Sequence, residues 1–221
     1  MIRALLLFAL PCAAADLFLT PSSFVVSQGE RISITIEGAQ WTVAAIKDPV
    51  LIASSGVYNL TNLRAVDGVP MVDGNAKAKG SLIAAAQGTY HGQQYFAKTL
   101  LTCEAADATA RKIVGHALEI VPESVLSGGL VSIQVWLRGK PAAGVPVEIV
   151  SNGSAGVTGA EGRLRLKLSD AGVYRIVAAH ESMRASFSFE YLIAHHAAVG
   201  FEAGNVIADR FDARRDRDRQ Q

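Results

Sequence analysis

The chain carries five histidines, His91, His116, His180, His195 and His196, and these are its candidate metal ligands. A nickel, copper or zinc site draws three or four nitrogen, oxygen or sulfur donors to one point. No two of these histidines have the i, i+4 spacing of a helical pair. His195 and His196 are adjacent, so in an extended chain they point to opposite faces and cannot share an ion. His91 stands among Gly88, Tyr90 and Gly92 and is expected in a loop. His116 keeps phase with Leu118 and Ile120, and His180 with Tyr174, Ile176 and Ala178. Both are therefore expected at strand ends on the inward side. Two readings follow. They are packing histidines at the rim of a core, or His116 and His180 form a rim site for a divalent transition metal, completed by a carboxylate or a tyrosine.

Lys98 is flanked by Phe96 and Leu100. It is either a buried lysine with a depressed pKa or one that snorkels to solvent at a sheet edge. The sequence has no phosphate loop, no strand-linked Gly-x-Gly-x-x-Gly and no Gly-x-Ser-x-Gly elbow. No catalytic motif stands out, and the expectation is a protein that is not an enzyme. Trp41 and Trp136 are candidates for a sugar-stacking face, Trp136 being out of phase with the apolar side of its strand. Packing between domains is the alternative for both.

The elements that would position these residues are strands. Ile32, Ile34 and Ile36 alternate with Ser33, Thr35 and Glu37, a half-buried strand. Trp41–Ala53 reads as a strand interrupted at Lys47-Asp48-Pro49, and Val57–Leu63, Ser81–Ala86 and Tyr95–Thr102 as further strands. Asp67–Pro70 and Asp73–Asn75 read as turn-rich. Beyond residue 113, Val131, Ile133, Val135 and Leu137 share a face. So do Val145, Val147 and Ile149. Leu164, Leu166 and Leu168 alternate with Arg165 and Lys167, and Tyr174/Ile176 and Phe187/Phe189/Tyr191 follow the same period. Short strands with turn signals every ~8–12 residues predict an immunoglobulin-like or transthyretin-like sandwich. Gly162 is placed to take a positive φ in one of the turns. The fold class is all-β, with two consecutive β-sandwich domains.

Met1-Ile2-Arg3, the apolar run Ala4–Leu10 and the small residues to Ala15 read as a signal peptide, cleaved before Asp16. That run is shorter than the ~20 residues a span needs, and no other run is longer. The mature chain is not expected to cross a membrane. Removal of Cys12 with the leader leaves Cys103, in phase with Tyr95, Ala97 and Leu101, as a core residue without a disulfide partner. A net charge of +1 gives no basic face for nucleic acid. Small polar residues at 105–112 read as a linker. Residues 193–221 are polar, with charges that largely cancel, and read as a disordered tail. The expected organisation is a leader at 1–15, an N-terminal β domain at 16–104, the linker at 105–112, the sandwich at 113–192 and the tail at 193–221.

Pro141, Gly144 and Val147, then Thr158 and Gly162, then Gly172 and Tyr174 resemble the turn and hairpin signals of carboxypeptidase-regulatory-like and bacterial immunoglobulin-like modules. Over residues 16–192 the chain is similar to an exported bacterial family of unknown function that carries a nickel-uptake substrate-specific label. The matching pieces are Asp16–Leu19 with Pro21 and Phe24, Tyr95 with Ala97-Lys98, Leu118–Pro122, the Pro/Gly/Val turn and Ala179-His180. The resemblance implies a periplasmic or secreted binding or accessory protein. Metal or small-solute uptake, with an envelope transporter or receptor component as partner, is the role it points to. Ala15 stands where that family carries a histidine, so the ligand it implies there is missing, and the cofactor is unknown. A structural or adhesive module for a protein or a glycan is the alternative.

Overall fold

The computed structural model describes residues 16–38, 40–126 and 129–192. The leader, His195, His196 and the tail lie outside the described residues. The first half supplies β1 (Phe18–Pro21), β2 (Val25–Val26), β3 (Arg31–Glu37), β4 (Ile46–Ala53), β5 (Gly56–Asn59), β6 (Thr61–Val66), β7 (Val69–Asn75), β8 (Gly80–Tyr90) and β9 (Gln93–Cys103). The second supplies β10 (Leu118–Leu126), β11 (Leu130–Leu137), β12 (Lys140–Pro141), β13 (Pro146–Ile149), β14 (Ala155–Val157), β15 (Arg163–Lys167), β16 (Gly172–His180) and β17 (Met183–Tyr191). None of the helical segments among the described residues is long and apolar enough to cross a membrane.

Three sheets form. One runs β1-β3-β7-β6, and another joins β10, β11, β12 and β15. The largest has nine strands and runs β14-β13-β16-β17-β9-β8-β4-β5, with β2 beside β9. Its central pair, β17 and β9, lies parallel, Met183–Ser188 against Gln94–Thr99. The all-β class holds and there are two sandwiches, but they share this sheet across the expected boundary.

Strand alternation explains how one sheet serves two cores. Side chains i and i+1 point to opposite faces. On β9, Tyr95, Ala97, Leu101 and Cys103 enter the first core, while Phe96 and Leu100 enter the second. On β8, Leu82, Ala84 and Ala86 divide from Ile83 in the same way. Strands buried on both faces call for near-continuous apolar runs; Leu82–Ala86 is such a run, and Tyr95–Cys103 departs from it at Lys98, Thr99 and Thr102, which are buried as well. Cys103 is a buried free thiol, as its phase predicts.

The second sandwich has immunoglobulin-like corners. The Tyr174 hydroxyl donates to Asp170 O at 2.8 Å and accepts from the amides of Ser169 and Asp170, the arrangement of a tyrosine corner. Thr158 Oγ1 donates to Ala142 O at 2.6 Å and accepts from Val145 N at 2.9 Å. It thereby ties its hairpin to the Pro141–Val145 turn. Gly162 has φ +70°, and a Cβ there would lie 2.7 Å from Val135 O.

Two local expectations change. Asp73–Asn75 belongs to β7, inside a sheet, because the Asp73 carboxylate is satisfied there by Arg31, Arg64, Ser33 and Asn62. Burial alone would push this carboxyl up, but those partners hold it well below the usual carboxylate range. The segment read as a linker is pinned to the body. Asp107 Oδ1 accepts from Ser81 N at 3.1 Å and Thr109 N at 2.8 Å, a 3₁₀ turn follows at Ala108–Arg111, and Ala110 enters the second core.

Candidate functional site

β10, β11 and β15 form the outer sheet of the second sandwich. Leu166 on β15 is buried, so Arg163, Arg165 and Lys167 occupy the opposite face and are exposed. β11 lies beside them, with Gln134 opposite Arg163 and Ser132 opposite Arg165. The 3₁₀ turn brings Arg111 over this face. Between them is a cleft of about 560 Å³ whose lining includes Arg111, Glu123, Ser132, Leu164 and Arg165.

The floor is fixed. Ser132 Oγ donates to Glu123 Oε2 at 2.9 Å, and Glu123 Oε1 receives Arg163 Nε at 2.8 Å. Arg163 also pairs with Glu161. Gln134 Nε2 donates to Glu161 O at 2.8 Å, and the half-buried Trp136 donates through Nε1 to Gln134 Oε1 at 3.1 Å. Arg111 and Arg165, in contrast, make no ion pair among the described residues. A second cleft, about 390 Å³, opens on the first sandwich beside Arg31, Asn62, Arg64 and Asp73. Its two arginines are already engaged by Asp73.

The residues that carried candidate chemistry fall elsewhere. Lys98 is 2 % exposed and its Nζ lies 2.6 Å from Glu119 Oε1, itself fully buried. Glu119 also accepts from Val114 N at 2.8 Å and Gly115 N at 3.0 Å. Burial pushes the Lys98 ammonium pKa down, against the pull of Glu119. Of the two sequence readings, the buried lysine is the one the structure contains. Snorkelling requires a sheet edge, and β9 is central.

His116 precedes β10, partly buried, its ring 5.3 Å from that of Phe96. Its Nδ1 is buried without a hydrogen-bond partner. Burial holds its pKa down at about 4; Lys98 adds to this and Glu119 opposes it. His180 ends β16, partly exposed, 3.9 Å from Glu181. Neither belongs to a group of three or more histidine, cysteine or carboxylate side chains able to hold a metal; none exists among the described residues. His91 sits in the β8–β9 turn at φ +48°, its ring 4.1 Å from that of Tyr90. Trp41 cannot stack on a sugar: it is 3 % exposed in the first core and donates to Asp16 O.

Sequence reasoning did not single out Arg111, Arg163 or Glu123. The spacing Arg163-x-Arg165-x-Lys167 was the available signal, three cations on one strand face. The approach of Arg111 from across the chain had none.

Two sandwiches on a shared sheet, with a tyrosine corner in the second, define an all-β, immunoglobulin-like architecture. Residues 40–182 match the family described as a domain of unknown function (DUF4198), and the chain belongs to that family. No curated protein matches it. Among solved structures it is similar to the D0-D1 domain of intimin at 16% identity, covering 80% of this chain and 98% of that one, with a TM-score of 0.25. For a 1.5-MDa bacterial ice-binding adhesin the identity is 13%, the coverage 85% and 66%, and the TM-score 0.31. For titin domains Z1Z2 in complex with telethonin they are 15%, 81% and 93%, and 0.25. At such scores these likenesses say nothing about activity or partners.

Proposed function

We propose that the chain is an exported, non-catalytic binding module that holds a negatively charged partner in the cleft of its second sandwich. The carrying observation is that Arg111 and Arg165 line the same cleft, exposed and without an ion pair among the described residues, beside an Arg163 whose charge Glu123 and Glu161 already meet. Like charges gathered in a concave site raise the local concentration of anions and speed their arrival. The site stands mainly on strands, which hold side chains more accurately than loops do. The buried pair Lys98 and Glu119 is internally satisfied and serves packing. The leader supports export to the periplasm or beyond. Uptake would be the special case in which the partner is a transporter or receptor component with an acidic surface.

Thermal unfolding with and without dextran sulfate tests this reading. A ligand that binds only the folded state raises the unfolding temperature. The expected result is a rise that Arg165→Glu abolishes. A rise indifferent to Arg111→Glu and Arg165→Glu, or no rise at all, overturns it.

A further inference from the structure

The cations and the indole of the outer sheet share one face, on the neighbouring strands β15 and β11. Lys167 is opposite Leu130, Arg165 opposite Ser132 and Arg163 opposite Gln134, while Trp136 is two residues beyond Gln134 on β11. Alternate strand residues are about 7 Å apart, so the line from Lys167 to Trp136 is about 20 Å long. Arg111 overhangs it from the connection between β9 and β10. A small anion calls for converging donors. Cations spread along a face, with Arg163 engaged by Glu123 and Glu161 and Arg111, Arg165 and Lys167 left for a ligand, call for an extended ligand with repeated charges. The tail at 193–221 is a poor occupant, since its own charges cancel.

The geometry points to a linear acidic polysaccharide, with carboxylates on Arg111, Arg165 and Lys167 and one sugar ring against Trp136. This rests on the reading of the cleft as an anion site and names its ligand class. The indole N–H is already spent on Gln134, so the group offers its ring carbons. A carbon surface that is fixed and half-exposed suits the apolar C–H face of a sugar ring. Arg and Trp are also the residues through which small contact areas hold most binding energy. Lys167 and Arg165 have no ion-pair partner among the described residues, so a ligand does not have to break one to reach them.

Affinity electrophoresis of the purified chain in gels containing polygalacturonate, poly-L-glutamate or neutral dextran tests the assignment. Retardation is expected in polygalacturonate, diminishing with salt as exposed charges are screened. Arg165→Glu should weaken it at least about tenfold, because reversal of a charge facing the ligand turns attraction into repulsion. Trp136→Ala should weaken it about threefold or more, as loss of an aromatic anchor does. Trp136→Phe should restore most of it, which separates a lost stacking face from a damaged fold. Equal retardation in poly-L-glutamate, with Trp136→Ala silent in both gels, overturns the glycan assignment and leaves an anion cleft for an acidic protein. Retardation in dextran that ignores Arg165→Glu overturns the acidic character of the ligand. No retardation in either polyanion overturns the inference and counts against the cleft reading as well.

Discussion

Lys98 Nζ lies 2.6 Å from Glu119 Oε1, and neither side chain reaches solvent. The pair joins β9 of the first half to β10 of the second. Glu119 also gathers the amides of Val114 and Gly115, so one carboxylate shapes the approach to the second sandwich. Breaking a buried pair from one side leaves an uncompensated charge and costs about 3–5 kcal/mol. Lys98→Met is therefore expected to lower the unfolding free energy by about 3 kcal/mol, read from urea denaturation. Adding Glu119→Gln should cost less than the sum of the single changes, with a coupling of about 2 kcal/mol. Additive effects would show that the two residues act independently.

His116 makes stability pH-dependent. Its folded pKa is about 4, below the ordinary 6.5, since burial favours the neutral ring. Lys98 and Glu119 face it, and Asp48 acts on it more weakly. Between these values the unfolded chain binds the proton and the native chain does not. The contribution is complete above about pH 6.5 and is lost as pH falls toward 4, by up to about 3 kcal/mol. Urea midpoints at pH 7.5 and pH 4.5 measure it. His116→Leu should flatten this part of the profile, and an unchanged profile would assign the loss to other groups.

Added nickel or zinc should leave the unfolding temperature unchanged. His116 and His180 belong to no cluster able to hold an ion among the described residues. A one-to-one rise lost in His116→Ala or His180→Ala would establish the rim site instead.

Residues 113–192 are expected not to unfold cooperatively when expressed alone. Without the first half, β17 loses its parallel partner β9, and the second core loses Ile52, Ile83, Phe96 and Leu100. Glu119 also loses Lys98. A sharp melting transition for the fragment would show that the second sandwich is complete by itself.

Protein recovered from the envelope of its host should begin at Asp16. The Asp16 carboxylate is buried against the Arg184 guanidinium, 2.9 Å at the Oδ2 contact. N-terminal sequencing checks this, and intact Met1 in that fraction would contradict the export reading.

The alternation of Ile32, Ile34 and Ile36, and of Leu164, Leu166 and Leu168, was enough to read strands, because a two-residue period is a local property of the backbone. The corners around Thr158, Gly162 and Tyr174 were legible for the same reason: each acts within a few tens of residues. The face of β9 opposite Tyr95 was not legible. Phe96, Lys98 and Leu100 cover a second core only because β17 returns from the far end of the chain to lie parallel to β9. Glu119 alternates with Leu118 and Ile120, yet it is buried, paired with Lys98 from another sheet. Arg165 showed as an outward cation, but its meeting with Arg111 needed the connection folded against β8 through Asp107 and Ser81. Period and turn chemistry were readable in the residues, because they are set by neighbours along the chain. Which polar faces are covered and which cations share a cleft emerged only with the folded chain, because those depend on strand pairings between residues far apart in sequence.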